Sequence, residues 1–462
     1  MIPTKLSIME LNRVPQCQLP AEILRMVMEM IESSGYVDKK QARSTLRSAL
    51  LVNKAWNAEA IRILWKNPPV SALAAIKNRD RRQFYACHIR KLEVRYYENK
   101  KRIPRYSTLR KVKLPLLKII DIDVAFVRVP EDYVRWCIEC CIRPSLEEVH
   151  FRCFVSRLDP KMLHLLQMQC PKLKKIAFDV NFFDEPGISS LTELIDSCKT
   201  LRSITLQSWR AQIEQAAGGS LEDGEFDRAQ YERQLGSLLG SLLGSLAHCN
   251  GLEELETNMF YTYEMMFCEV IGRLEQPFKE LRDLALNRFD DARSVSLLAS
   301  KLNPDSLTAL DLEVGGATLT INPLPQICLL VNLQNLSIKH RHNYDNSEST
   351  FGPSDMLPLK ILTRLRRLKI SYLRLSPRLT DEVFISIVEN WPELEVLDLY
   401  FVSSKLSTAS LSSLGKHCPR LEDLSIAGEY DLNDWQNIPR PVFPQLQRLM
   451  IGSLVDGEGE SQ

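Results

Sequence analysis

Cys418-Pro419-Arg420-Leu421-Glu422-Asp423-Leu424-Ser425-Ile426 reads C-P-x-L-x-x-L-x-I, and this frame decides the fold. A helix-like apolar run over 411–416 arrives first, Pro419 breaks it, and apolar residues then fall two apart. Alternation over a few residues is the pattern of a strand with one buried face. The frame recurs at Trp391-Pro392-Glu393-Leu394 through Leu399, and at Cys170-Pro171-Lys172-Leu173 through Phe178. A helix, a break and a strand in every copy predict a repeat array.

Ile89 opens a first, short copy ending at Val94. Further frames open at Leu109, Leu146, Leu173, Leu201, Leu252, Leu281, Leu307, Leu333, Leu365, Leu394, Leu421 and Leu446, which makes thirteen. From Leu146 onward the steps are mostly 25 to 32 residues. That is at or slightly above the roughly 20–29 of leucine-rich repeats. Between frames, 162–169, 191–197, 384–389 and 411–416 read as helices, and a further helix is expected over 71–85. The predicted fold is therefore α/β: a right-handed leucine-rich-repeat solenoid over 70–451, a horseshoe with parallel strands on its concave face. A chain of 462 residues also exceeds the roughly 250–300 at which a single core stops growing. The cysteines that end repeat helices, Cys170, Cys198, Cys249 and Cys418, resemble the cysteine-containing subclass of these repeats.

Two stretches interrupt the period. The 51 residues from Leu201 to Leu252 hold Ala216-Ala217-Gly218-Gly219-Ser220 and the acidic run 221–227, so a polar insertion is expected over about 210–236. A second loop is expected over about 340–358. Residues 1–15 read as a flexible lead and 452–462 as a disordered acidic tail.

Ahead of the repeats the pattern changes. Leu19-Pro20-Ala21-Glu22-Ile23-Leu24 opens a helix in which Pro20 sits just inside the start, where its fixed φ and missing donor are tolerated. Ile23, Leu24, Val27, Met30 and Ile31 share one helical stripe. A second run covers 46–56, and a third ends at Leu64-Trp65 before Asn67-Pro68-Pro69. Three short helices make a core of marginal size, which points to docking. The ordered set L-P-x-E-I-L, L-V-x-K-x-W-N, L-W and a Pro-rich exit over 16–69 resembles an F-box of the form common in fungal proteins. An F-box followed by leucine-rich repeats implies a substrate-recognition subunit of an SCF-type cullin-RING ubiquitin ligase. In that case Leu19, Pro20, Ile23, Leu24, Val27, Leu51, Val52 and Trp56 would bind the Skp-type adaptor. Trp56 and Trp65 also fit a core role.

The charge is balanced, 59 basic against 58 acidic residues, so nothing draws the chain toward nucleic acid or acidic lipid. No apolar core follows Met1 to Glu10, so no secretory signal is expected. The most apolar window, 114–129, carries Lys118, Asp121, Asp123 and Arg128, which excludes a membrane span there. Twelve cysteines without a signal fit reduced thiols in the cytoplasm or nucleus.

Signals of chemistry are weak. Cys137-x-x-Cys140-Cys141 lacks a second ligand pair at zinc spacing and reads as buried helix. His340-Arg341-His342 reads as a solvated loop. The hydrolase, dinucleotide and zincin motifs are absent. Gly236 to Gly244 has a small-xxx-small spacing, here expected on a repeat helix that packs close to its neighbour. No catalytic residue, metal or cofactor is expected.

The strand positions between apolar residues should face the concavity. Near the start these are Lys91, Arg95, Lys111, Lys113, Arg152 and Lys175, mixed with Glu93, Glu148 and Asp179: a mostly basic beginning. The middle carries Glu254, Glu256, Asp283, Asp311 and Glu313, and then come Lys339, Arg367 and Lys369, with Asp398, Tyr400 and Asp423 later. Like charges on adjacent strands cost stability, which points to a partner. The eight residues from Glu254 to Lys369 are the expected contacts to a protein target, with the acidic centre receiving a Lys- or Arg-containing segment. Two other classes compete with this one. One is a leucine-rich-repeat scaffold outside ubiquitination. The other is a GTPase-activating solenoid of the Ran-activator kind, which would need a different, more regular repeat and an exposed catalytic arginine that nothing here singles out.

Overall fold

The computed structural model describes residues 19–33, 39–95, 109, 111–123, 139, 141–157, 159–182, 185–208, 228–258, 264–289, 292–314, 322–340, 352–373, 378–401, 404–431 and 443–455. Contacts group Met1–Arg95 with Asn99–Asp121 as one unit, and Tyr96–Glu98 with Ile122–Gln462 as a second.

The first unit begins with helices α1 (Ala21–Ser33), α2 (Lys39–Ala49) and α3 (Lys54–Leu64). Leu24, Met28, Leu46, Ala49, Ala60 and Ile63 form their core, with Ile31, Leu50, Trp56 and Leu64 packed against it. The apolar run 46–56 is not one helix. α2 ends at Ala49, and Asn53 caps α3 by accepting from Trp56 N at 3.0 Å. The Asn57 amide donates to Leu50 O at 2.8 Å, so the turn is held at both ends. The helix expected over 71–85 is instead two, α4 (Val70–Ala74) and α5 (Arg79–Ala86), the latter capped by Asn78. Trp65 stacks on Tyr85 with ring centroids 4.4 Å apart, tying α3 to α5.

Strands β1 (Lys91–Arg95) and β2 (Ile119–Asp123) follow as neighbours. The frame expected to open at Leu109 does not form a strand. Leu109, Val112 and Leu114 are buried in turns, and β2 takes its frame from Leu117-x-x-Ile120-x-Ile122. Lys111 and Lys113, assigned to a strand face, are exposed outside any strand.

The second unit is a leucine-rich-repeat solenoid. Its strands are β3 (Glu148–Arg157), β4 (Lys175–Phe182), β5 (Ser203–Ser208), β6 (Glu254–Thr257), β7 (Asp283–Phe289), β8 (Ala309–Val314), β9 (Asn335–His340), β10 (Arg367–Leu373), β11 (Leu379–Thr380), β12 (Val396–Phe401), β13 (Ser404–Lys405), β14 (Asp423–Asp431) and β15 (Arg448–Val455). β11 and β13 pair with each other, and the rest form one parallel ladder in chain order. Helices Pro160–Gln169, Glu185–Ser197, Arg228–His248, Glu264–Arg273, Ala292–Lys301, Asp381–Val388 and Thr408–His417 connect them. The loop expected over 340–358 contains the 3-10 helix Pro353–Ile361, the insertion expected to reach 236 is already helical from Arg228, and β15 runs three residues beyond Gly452. The insertion residues 209–227 lie outside the described residues, as do 1–18 and 456–462 of the ends and Cys137, Cys140, Arg341 and His342.

The opening frame explains the repeat. Leu421 N donates to Cys418 O at 3.1 Å, closing the helix-to-strand turn. Leu173 with Cys170, Leu252 with Cys249, Leu281 with Phe278 and Leu394 with Trp391 make the same bond. Two successive N–H groups at each strand start then donate to one carbonyl of the previous repeat, as Glu422 and Asp423 do to Glu395 O at 2.8 and 3.1 Å. This fixes the register before the ladder proper begins. Leu421, Leu424 and Ile426 are buried, and each such side chain contributes about 1.5–3 kcal/mol. Cys418 is a filler of the same slot that Trp391 and Phe278 occupy.

Candidate functional site

The first unit leaves an apolar surface uncovered. α1 carries two stripes. Leu24, Met28 and Ile31 face the core, while Leu19, Ile23, Met26, Val27 and Met30 form an exposed line, with Met30 68 % exposed. Leu51 (88 %) and Val52 (57 %) project from the clamped turn between α2 and α3. Of the residues assigned to an adaptor, Leu19, Pro20, Ile23, Val27, Leu51 and Val52 are thus accessible. Leu24 is not: at 1 % exposure it belongs to the core, and Trp56 is half-buried against that core. Met26 falls outside the sequence assignment because that assignment takes a single stripe where the helix has two; Met30 lies on the stripe but is not among the residues assigned to the adaptor. Arg25 to Glu59 at 3.3 Å and Lys66 to Glu32 at 3.7 Å flank the helix without covering its apolar line.

The second unit carries a groove of about 520 Å³ on its strand-lined face. Register builds it row by row. The first strand positions run Lys175, Ser203, Glu254, Asp283, Ala309, Asn335 and Arg367 across β4 to β10. The third positions run Ala177, Thr205, Glu256, Ala285, Asp311, Ser337 and Lys369. Small side chains at Ser203, Thr205, Ala285, Ala309 and Ser337 leave the hollow, and charged ones surround it. Glu254, Glu256, Asp283, Asp311, Lys339, Arg367 and Lys369 all line this groove as assigned; Glu313 lies on β8 outside the lining. The small floor residues were missed, because a sequence pattern marks charge readily and emptiness poorly.

The electrostatics are uneven. Gln207 donates to Glu256 at 2.7 Å, Lys175 reaches Glu254 at 3.6 Å, and Lys339 reaches Asp311 at 3.4 Å. Asp283 gains no such partner among the described residues. Burial, with Glu254, Asp311 and Glu256 around it, pushes its carboxyl above the ordinary 3.8. Asp311 Oδ1 and Ser337 Oγ, opposite each other in register, are closed to solvent and find no hydrogen bond among the described residues. Arg367 and Lys369 make no ion pair within 4.0 Å among the described residues, although Lys369 stands opposite Asp398 in register.

The mostly basic beginning expected of the repeats is neutralised instead. Arg152 reaches both Asp123 and Asp179 at 3.4 Å within the second unit, and in the first Lys91 reaches Asp121 at 3.0 Å. The thiols are structural fillers. Burial raises Cys170 to about 11 and both Cys328 and Cys418 to about 12, far above the range of a reactive thiolate. Among the described residues no group of three or more His, Cys, Asp or Glu is placed to hold a metal ion, and no helix is long and apolar enough to cross a membrane.

No family model matches the chain, and no curated protein matches it. A solved structure described as the Rad7 and Elc1 complex in yeast is similar, with a TM-score of 0.37 and 14 % identity over 93 % of this chain and 92 % of that one. A likeness at that level adds no argument about function.

Proposed function

We propose that the chain is a target-recognition subunit of a ubiquitin ligase of the SCF kind, and is not itself an enzyme. The exposed apolar line on α1, with Leu51 and Val52 on a clamped turn, is the observation that carries this reading. A small helical unit that keeps seven large apolar side chains in water is built to cover them with a partner. The resemblance of 16–69 to an F-box makes a Skp-type adaptor the partner of choice. The groove would hold a protein target, and catalysis would be by proximity alone: tethering raises the effective concentration of target lysines.

The test is capture of a purified Skp-type adaptor by the full chain. Ile23→Glu with Met30→Glu, and separately Leu19→Ala with Pro20→Ala, should abolish or weaken capture while leaving the melting temperature near that of the unmodified chain. If the unmodified chain captures no adaptor, the ligase reading fails, and a leucine-rich-repeat scaffold with another helical partner takes its place.

A further inference from the structure

The groove has two poles. Glu254, Glu256 and Asp283 on β6 and β7, with Asp311 on β8, make one side acidic; Arg367 and Lys369 on β10 make the other basic. Ala309, Asn335 and Ser337 separate them without charge. Counter-charge is incomplete at each pole, although Asp398 stands opposite Lys369 in register and Asp423 lies within its electrostatic reach. Lys175 and Lys339 each reach one of the four acids, while Asp283 has none and no ion pair reaches Arg367 or Lys369 among the described residues. On the floor between the poles, Asp311 Oδ1 and Ser337 Oγ are closed to solvent and find no hydrogen bond among the described residues.

Fields of opposite sign held side by side on a rigid sheet select a ligand of opposite polarity. We infer that the groove recognises an extended peptide segment carrying a Lys or Arg for the β6–β8 acids and an anionic side chain for Arg367 and Lys369. This rests on the reading of the second unit as target-binding and narrows it to a class of target. The spacing follows from the sheet. β7 and β10 are three strand steps apart, about 14 Å at roughly 4.8 Å per step, which an extended chain crosses in about four residues. A purely basic segment would satisfy one pole and meet repulsion at the other. The shared chemistry at the basic pole is an oxyanion, which a carboxylate or a phosphorylated hydroxyl supplies equally in kind.

The experiment measures binding of fluorescein-labelled twelve-residue Gly/Ser peptides to the purified full chain by fluorescence anisotropy. The peptides carry Lys-Lys and Glu-Glu four residues apart, the same pairs adjacent, Lys-Lys twice, or Lys-Lys with two phosphoserines. The spaced Lys/Glu peptide should bind at least tenfold more tightly than the adjacent and all-lysine forms. Glu254→Lys with Asp283→Lys, or Arg367→Glu with Lys369→Glu, should each remove that advantage. A chain with both poles inverted should regain it, because an extended peptide can lie either way across the strands. Tighter binding of the phosphoserine peptide identifies the anion as phosphate, and equal or weaker binding as carboxylate. Equal affinity for the all-lysine peptide, indifference to either inversion, or no binding by any peptide overturns the inference. None of these results bears on adaptor capture, so the two readings fail separately.

Discussion

Asp283 shows what like charges on adjacent strands cost the fold. Its carboxyl faces Glu254 directly across the ladder and feels Glu256 and Asp311. Its raised pKa means the folded chain holds the proton longer than the unfolded chain does. Below both values the carboxyl is neutral in either state and costs nothing. As pH rises past the unfolded value near 3.8 the unfolded chain ionises first, so stability falls until the folded carboxyl ionises too. Asp283→Asn should therefore stabilise the chain at pH 7, by a few tenths of a kcal/mol for a partly solvated carboxyl raised by burial and cross-strand repulsion. The gain should vanish near pH 3, as thermal melts at the two pH values would show. Cys170, Cys328 and Cys418 give the opposite kind of residue, apolar in effect and silent in chemistry. Native protein at pH 8 should leave these three thiols unmodified by a maleimide, and denaturant should expose them; mass spectrometry of labelled peptides reads the difference.

At the scale of elements, α1 was half legible. Its apolar residues are plain in the sequence, but 23, 24, 27, 30 and 31 merge into one stripe there, when 24, 28 and 31 face inward and 19, 23, 26, 27 and 30 outward. Two neighbouring positions test the division. Leu24→Ala should cost about 2–5 kcal/mol, the usual penalty for emptying a packed core site. Ile23→Ala should fall within about 0.5 kcal/mol, as surface substitutions do. Urea melts of the two variants separate them. The repeat strands were legible in twelve of thirteen frames because leucines spaced two apart reach a common core only from an extended backbone. The failure at Leu109 is instructive. Leu109-x-x-Val112-x-Leu114 matches the pattern and is buried, yet Leu114-Pro115-x-Leu117-x-x-Ile120-x-Ile122 matches the longer C-P-x-L frame with leucine in the cysteine slot. Trp391 and Phe278 fill that slot too, so its requirement is a buried apolar body. Leu117 also lies 28 residues after Ile89 and 29 before Leu146, in step with the rest. The groove was legible in its charges, because alternation sorts faces, and illegible in its depth, which small neighbours on four separate strands create together.

For the solenoid as a whole, stability is close to a sum over repeats and their neighbours. An inner strand is held on both edges. β9 pairs with β8 and β10, and Leu336 is 1 % exposed. β15 pairs with β14 alone among the described residues. The change shows in its side chains: Leu449, in the same register row as Leu336, is 38 % exposed, and Met450 is 58 % exposed. Arg448 clasps Asp423 and holds its carboxyl below the ordinary range, but an exposed ion pair adds little to an edge without a core. Local opening should therefore begin at β15 and advance inward. Amide hydrogen exchange should be fastest over 448–455, slower over β14, and slowest across β7 to β9. Leu449→Ala should shift the global melt far less than Leu336→Ala, whose cost belongs to the roughly 2–5 kcal/mol class. Uniform protection from β9 to β15 would mean that the last strand shares fully in the cooperative unit, and that the exposure of Leu449 and Met450 does not weaken it.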